Sequence, residues 1–160
     1  MVVRSIAPSD RDNYRSVLED TTAEDRYCRF FHAVDHFDAE FIDQYVDGRH
    51  GTIGAIAFDP GPLGAAHAIE IDARTTELAI VVARGGRRRG IARVLLAWVI
   101  DAAAAAGYES LIAYALRENA GFTALARGAG MVAEPYPTSE GTTVVWRLHL
   151  QATRSPSVAR

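Results

Sequence analysis

A strand, a loop of glycines and arginines, and a long helix follow one another between Glu77 and Gly107. This succession, E-L-A-I-V-V-A-R-G-G-R-R-R-G-I-A-R-V-L-L-A-W-V-I-D-A-A-A-A-A-G, constrains the chain more than any other stretch. Residues 78–82 are apolar and rich in β-branched side chains, which predicts a buried strand. Glycines and arginines fill 84–90, and from Ile91 the apolar positions Ile91, Val94, Leu95, Trp98 and Ala102 recur at helical spacing until Gly107. A helix start presents unpaired N–H groups and a partial positive charge, so it attracts anions. Arg87, Arg88, Arg89 and Arg93 add formal charge at the same place. We read the loop as a cradle for the pyrophosphate of a bound cofactor, with Gly90 and Ala92 small enough to let the backbone approach it.

The rest of the chain sets limits on this reading. At 160 residues and 49% apolar content, one domain over residues 1–150 is expected, with 151–160 a frayed tail lacking an apolar pattern. A net charge of -3 argues against a nucleic-acid binder, which would be basic. The single cysteine, Cys28, excludes an intramolecular disulfide and a multi-cysteine metal site. The five histidines are scattered; His32 and His36 are four apart but lack a third ligand nearby, so no metal is expected. The first residues lack the apolar core of a signal peptide, and the alanine-rich helix carries Arg93 and Asp101, so no membrane segment and a cytoplasmic location are expected.

In chain order, Val2 to Ile6 alternates as a short strand. Ser9 or Asp10 can cap a helix that buries Tyr14, Val17 and Leu18. Thr21-Thr22-Ala23-Glu24 offers the cap of a second helix holding Tyr27, Phe30 and Phe31, and Asp38 can start a third with Phe41, Ile42 and Tyr45 inward, ended by Gly48. Residues 52–58 and 63–71, joined by Asp59-Pro60-Gly61-Pro62, form an antiparallel hairpin leading into the Glu77 strand. After the long helix come a strand at 109–114, a short helix at 119–129, and two last strands joined by a turn containing Pro135 and Pro137. The strand–helix–strand unit implies a parallel pair through a right-handed crossover. The whole is therefore an α+β fold around a mixed, mostly antiparallel sheet.

Val82-Ala83-Arg84-Gly85-Gly86-Arg87-Arg88-Arg89-Gly90-Ile91-Ala92 resembles the acetyl-CoA-binding signature of the GNAT superfamily of N-acetyltransferases, (Gln/Arg)-x-x-Gly-x-(Gly/Ala), filled by Arg87, Gly90 and Ala92. Asn119, one strand later, is similar to an asparagine that the family places near the cofactor. Gly130-Met131 stands where the family usually has Gly-Phe. Arg4, Asp10 and residues 24–31 resemble the N-terminal part of GNAT domains in bacterial protein lysine acetyltransferases. The resemblance implies a GNAT-like fold, acetyl-CoA as cosubstrate without a metal, and an amine acceptor, either a protein lysine or a small molecule. It implies that Ile80, Val81 and Val82 pair with the pantetheine arm, that a bulge splays this strand from its neighbour, and that the N–H of Val81 or Val82 stabilises the developing oxyanion. The backbone of Arg88, Arg89, Gly90, Ile91, Ala92 and Arg93 then holds the phosphates beside Arg87, with Asn119 close by.

Acetyl transfer to an amine needs a base, because a lysine-like ammonium titrates near ~10.4 and attacks only when neutral. The resemblance assigns this role to Glu77; Glu70 and Asp72 are rival carboxylates nearby. Many family members carry a tyrosine seven residues after the asparagine as acid for the leaving thiolate, and this chain has Ala126. Tyr114 and Tyr136 are the candidates to replace it. The expected activity is N-acetyl transfer by direct attack, in a monomer or homodimer; the alternative is a non-catalytic acyl-CoA sensor, for which the missing tyrosine speaks.

Overall fold

A computed structural model describes residues 1–135 and 141–151 of the chain. Seven strands form one sheet in the order β1-β2-β3-β4-β5-β7-β6. They are β1 (Val2–Ser5), β2 (Ile53–Phe58), β3 (Pro62–Asp72), β4 (Thr75–Val82), β5 (Ser110–Leu116), β6 (Val132–Pro135) and β7 (Thr143–His149). Every neighbouring pair is antiparallel except β4 and β5, which are joined by the helix α4 (Ile91–Ala105). This is the α+β mixed sheet that the element order implied. The other helices are α1 (Arg11–Glu19), α2 (Ala23–Phe30), α3 (Ala39–Val46) and α5 (Ala120–Gly128).

Local chemistry sets the helix starts. Thr22 caps α2 in a reciprocal box: its hydroxyl accepts from the Asp25 N–H at 3.2 Å, and the Asp25 carboxylate accepts from the Thr22 N–H at 2.7 Å. Asp38 accepts from the Phe41 N–H at 2.8 Å and opens α3. Asp10 stands at the N-cap of α1, but its carboxylate points back, accepting two bonds from Arg4 at 2.7 Å and one from the Ala7 N–H at 3.0 Å. It therefore ties β1 to the helix that follows. The His32–His36 spacing does not lie on a helix, because α2 ends at Phe30.

Two apolar clusters sit on opposite faces of the sheet. Ile91, Leu95, Leu96, Val99 and Ala103 of α4 pack on Ala55, Ala57, Ala66, Ala68, Leu78, Leu111, Ala113 and Ala115. On the other face Tyr14, Leu18, Phe37, Ile42 and Val46 close over Ala65. The buried stripe of α4 differs from the expected one: Val94, Trp98 and Ala102 are half-buried, and Leu96, Val99, Ala103 and Ala104 go inward. Nearly every α4 side chain is apolar, so periodicity alone leaves the rotation of the helix open, and the small alanines of the sheet decide it. The turn at Pro137, Tyr136 and all of the tail beyond Gln151 lie outside the described residues.

Candidate active site

Strands β4 and β5 pair only over Thr75–Ser110, Thr76–Leu111 and Glu77–Ile112. Beyond Glu77 the two strands part, although each continues, to Val82 and Leu116. No bulge is needed: β4 keeps a continuous register with β3 from Thr76 to Val82, and the register shift falls at Glu70–Asp72 instead. The expectation of a bulge on this strand is thus corrected. Side chains 80–82 are half-buried, where a buried strand was expected, because the β5 side of this segment is open.

Strand alternation tells which backbone groups face the split. The Ala83 N–H donates to the Leu63 carbonyl at 2.9 Å, so the odd residues of β4 bond to β3 and the even ones point the other way. The N–H groups of Leu78, Ile80 and Val82 therefore face the split, and that of Val81 is taken up by β3. Of the two expected oxyanion donors, only Val82 has its N–H directed there.

The split opens into a cleft of about 590 Å³. Glu77, Ile80, Val81 and Val82 line it along β4, and Arg87, Arg88, Gly90, Ile91 and Ala92 close the end formed by the Gly/Arg loop. Asn119 lines it too, while its side-chain oxygen caps α5 by accepting from the Phe122 N–H at 2.9 Å. Arg89 and Arg93 are not among the lining residues. Arg89 donates to Asp59 at 2.5 Å, and Arg93 borders a smaller groove between α4 and α5. Arg84 meets Asp20 at 3.2 Å.

The start of α4 is prepared for an anion. Its N-cap is Gly90 in the left-handed region (φ 78°), with no capping side chain and no acidic residue in the first turn. The N–H groups of Ile91, Ala92 and Arg93 therefore have no partner within the helix, and the dipole there is uncompensated. A Cβ on Gly90 would meet no protein atom within 4 Å, so the space before the helix is open. Arg88 also has positive φ (59°), which turns the loop backbone towards that space.

Glu77 is half-buried in the cleft at the last paired rung. Burial pushes its carboxyl above the ordinary glutamate value, and the charge of Arg29 partly opposes this. The rival carboxylates lie elsewhere. Glu70 is exposed and accepts from the Tyr108 hydroxyl at 2.5 Å, and Asp72 accepts from the Arg74 N–H at 2.8 Å. Neither lines the cleft.

The facing wall comes from α2, whose Glu24, Asp25, Tyr27, Cys28 and Arg29, with Phe31, line the cleft. Tyr27 and Phe31 are 48% and 39% exposed. Tyr114 and Glu118 complete the lining from β5 and the turn after it. The Thr22 cap was legible in the sequence, but nothing local indicated that α2 would face a loop some sixty residues downstream. Ala126 is fully buried in the core cluster and is not among the residues lining the cleft.

The model of the acetyltransferase (GNAT) family matches residues 13–131. This chain belongs to the GNAT family. Among solved structures it is similar to the GNAT domain of the Streptomyces lividans protein PAT, with 22% identity, 92% of this chain and 89% of that one covered, and a TM-score of 0.85. It is also similar to yncA of Salmonella typhimurium, a putative acetyltransferase solved with acetyl-CoA (17% identity, 99% of each chain covered, TM-score 0.74). A third is spermidine N-acetyltransferase from Vibrio cholerae, in complex with CoA and spermine (16% identity, 94% of this chain and 96% of that one covered, TM-score 0.72). No curated protein matches by sequence. Among the described residues no helix is long and apolar enough to cross a membrane, and no group of three His, Cys, Asp or Glu side chains could hold a metal ion.

Proposed function

We propose that this GNAT domain moves an acetyl group from acetyl-CoA to a primary amine by direct attack, with Glu77 as general base. As a family member it uses acetyl-CoA as cosubstrate. The observation that carries the reading is the position of Glu77: it stands where β4 and β5 part, in the same cleft as the open helix start. From Glu77 to the end of β4 is about 17 Å at the usual rise per residue, enough for an extended arm to run from the phosphate loop to the carboxylate. Along that path the N–H groups of Val82 and Ile80 are available to the arm or to the thioester oxygen.

In the reaction Glu77, directly or through a water, takes a proton from the ammonium of the acceptor. The neutral nitrogen attacks the acetyl carbon, the C–S bond breaks with its electron pair on sulfur, and the nitrogen sheds its second proton to solvent, leaving the neutral amide. A thiol titrates near ~8.5, so the thiolate can depart near neutral pH and be protonated by solvent. This accommodates Ala126 at the position where many relatives have tyrosine.

The acceptor wall favours a cation with an apolar stem. Glu24 and Glu118 line the cleft with Glu77, and the exposed rings of Tyr27 and Phe31 lie beside them. A protein lysine and a small polyamine both meet this description, and one structural neighbour is a spermidine N-acetyltransferase in complex with CoA and spermine.

Thiol release from acetyl-CoA, followed over a panel of lysine-bearing proteins and small amines, tests the reading. Glu77→Gln is expected to bind acetyl-CoA normally while losing about 10²–10⁴-fold in kcat/KM. Tight acetyl-CoA binding with no release on any acceptor would instead assign the chain as a sensor.

A further inference from the structure

Arg87 fills the first position of the phosphate-loop signature, yet its guanidinium is already engaged. Its Nη2 donates to Asp25 Oδ2, across the cleft on the first turn of α2. The same oxygen accepts from the Thr22 N–H and the Thr22 hydroxyl, both at 2.7 Å. The pairs Arg84–Asp20 and Arg89–Asp59 differ, because neither member of either pair lines the cleft. Arg87 and Asp25 both do.

We propose that Asp25 is an internal competitor for the phosphate-loop arginine: its carboxylate holds Arg87 across the cleft, and the cofactor's pyrophosphate must displace it. This rests on the reading of the loop as the pyrophosphate site. The exchange is feasible because the Arg87 and Asp25 side chains are 42% and 34% exposed, and ion pairs in contact with water are weak. A pyrophosphate offers the guanidinium more negative charge than one carboxylate, and the free N–H groups of α4 assist it.

After the exchange Asp25 keeps its two bonds from Thr22, so the cap of α2 survives. The loop also stays tied to the end of α1: the Arg84 N–H donates to the Asp20 carbonyl at 3.1 Å and the Gly85 N–H to the Asp20 carboxylate at 3.4 Å. Only the Arg87 contact changes hands. Because Tyr27, Cys28 and Arg29 follow Asp25 on the same helix and line the same cleft, the exchange links cofactor occupancy to the acceptor wall. Asp25 is thus a positioning residue that sets cofactor affinity through Arg87.

The test is calorimetric titration of the full chain with acetyl-CoA in wild type, Asp25→Asn, Arg87→Gln and the double variant. Asparagine keeps an acceptor for Thr22 and removes the charge. The KM for S-acetylpantetheine, a donor without pyrophosphate, is measured beside it. Asp25→Asn is expected to tighten acetyl-CoA about two- to five-fold, to have no effect when Arg87 is already glutamine, and to leave the KM for S-acetylpantetheine unchanged. Unchanged or weaker acetyl-CoA binding by Asp25→Asn, or a gain that persists without Arg87, would overturn the proposal. So would parallel shifts for the two donors, which indicate a structural effect on α2.

Gly90→Asp separates this from the loop reading. Aspartate tolerates the left-handed backbone better than most residues and suits a helix start, while its charge repels phosphate. A loss of tenfold or more in acetyl-CoA affinity with the thermal midpoint retained supports the loop, and a null Asp25→Asn result then overturns the competitor alone. Undiminished binding by Gly90→Asp removes the loop reading and the proposal with it.

Discussion

The two faces of the sheet are built from different materials. The α4 face is mainly aliphatic: leucines, isoleucine and valine of one 15-residue helix lie on alanines of β2, β3 and β5, with Trp146 the buried aromatic of the cluster. The opposite face is aromatic: Tyr14, Phe30, Phe37, Phe41 and Tyr45 meet edge-on or tilted, with ring centroids 5.1–5.8 Å apart, and His67 joins them at 5.0 and 5.2 Å. Three short helices cover it instead of one long one. A single helix set on small residues places one end, its N-terminus, at a fixed point of the sheet, as an anion site requires. Short helices joined by loops can be re-angled with little cost to the sheet, as suits a wall that contacts a variable acceptor. Under the proposed function, the difference would give constancy to one face and specificity to the other.

The largest effect that would sharpen this division is in the pH profile. As the proposed base Glu77 would act in its ionised form, and burial raises its pKa, so kcat/KM should fall about tenfold per pH unit below a point above the ordinary glutamate value. The limb should vanish in Glu77→Gln; its persistence there would move the base elsewhere. The ionised carboxylate is the form disfavoured by burial, so Glu77 also lowers stability as pH rises through its folded pKa.

Next come paired core truncations. Leu95→Ala, at a fully buried site under the cofactor loop, should cost about 3–4 kcal/mol by chemical denaturation and weaken acetyl-CoA binding. Ile42→Ala, equally buried on the aromatic face, should cost about 3 kcal/mol and alter the KM of the acceptor while sparing that of acetyl-CoA. If both variants move the same kinetic constant, the two faces do not divide the work.

Asp10→Ala should cost about 2 kcal/mol, through the loss of a charge-assisted pair and of a bond to the Ala7 N–H. Arg4 holds the Asp10 carboxyl below its ordinary value. This stabilisation is therefore present above the ordinary aspartate range and fades as pH falls through the lowered pKa, so wild type and variant should converge in acid.

A further pH-dependent effect concerns His67. Full burial between Tyr14 and Tyr45 lowers its pKa from 6.5 to about 3. A histidine kept neutral in the fold loses stability as pH drops from 6.5 towards 3, because only the unfolded chain takes the proton there. The stability gap between wild type and His67→Gln should shrink by at most about 1.4 kcal/mol per pH unit across that window. A constant gap would mean that His67 is hydrated or paired in solution.

Much of this was legible in the sequence, for reasons that are local. The order of strand, Gly/Arg loop and apolar helix at 77–107 determines a parallel crossover and a helix N-terminus facing outward, since backbone geometry and residue size settle both. The caps at Thr22 and Asp38 follow in the same way, because a short polar side chain satisfies N–H groups three residues ahead. Tertiary structure alone decided the rest. The rotation of α4, the parting of β4 and β5 at Glu77 without a bulge, and the direction of the Val82 N–H depend on how β3 and β5 lie beside β4. The capture of Arg87 by Asp25 and the exposure of Tyr27 and Phe31 in the cleft join residues far apart in the chain. Neither periodicity nor spacing can encode such a contact, because it exists only once the sheet has brought α2 over the phosphate loop.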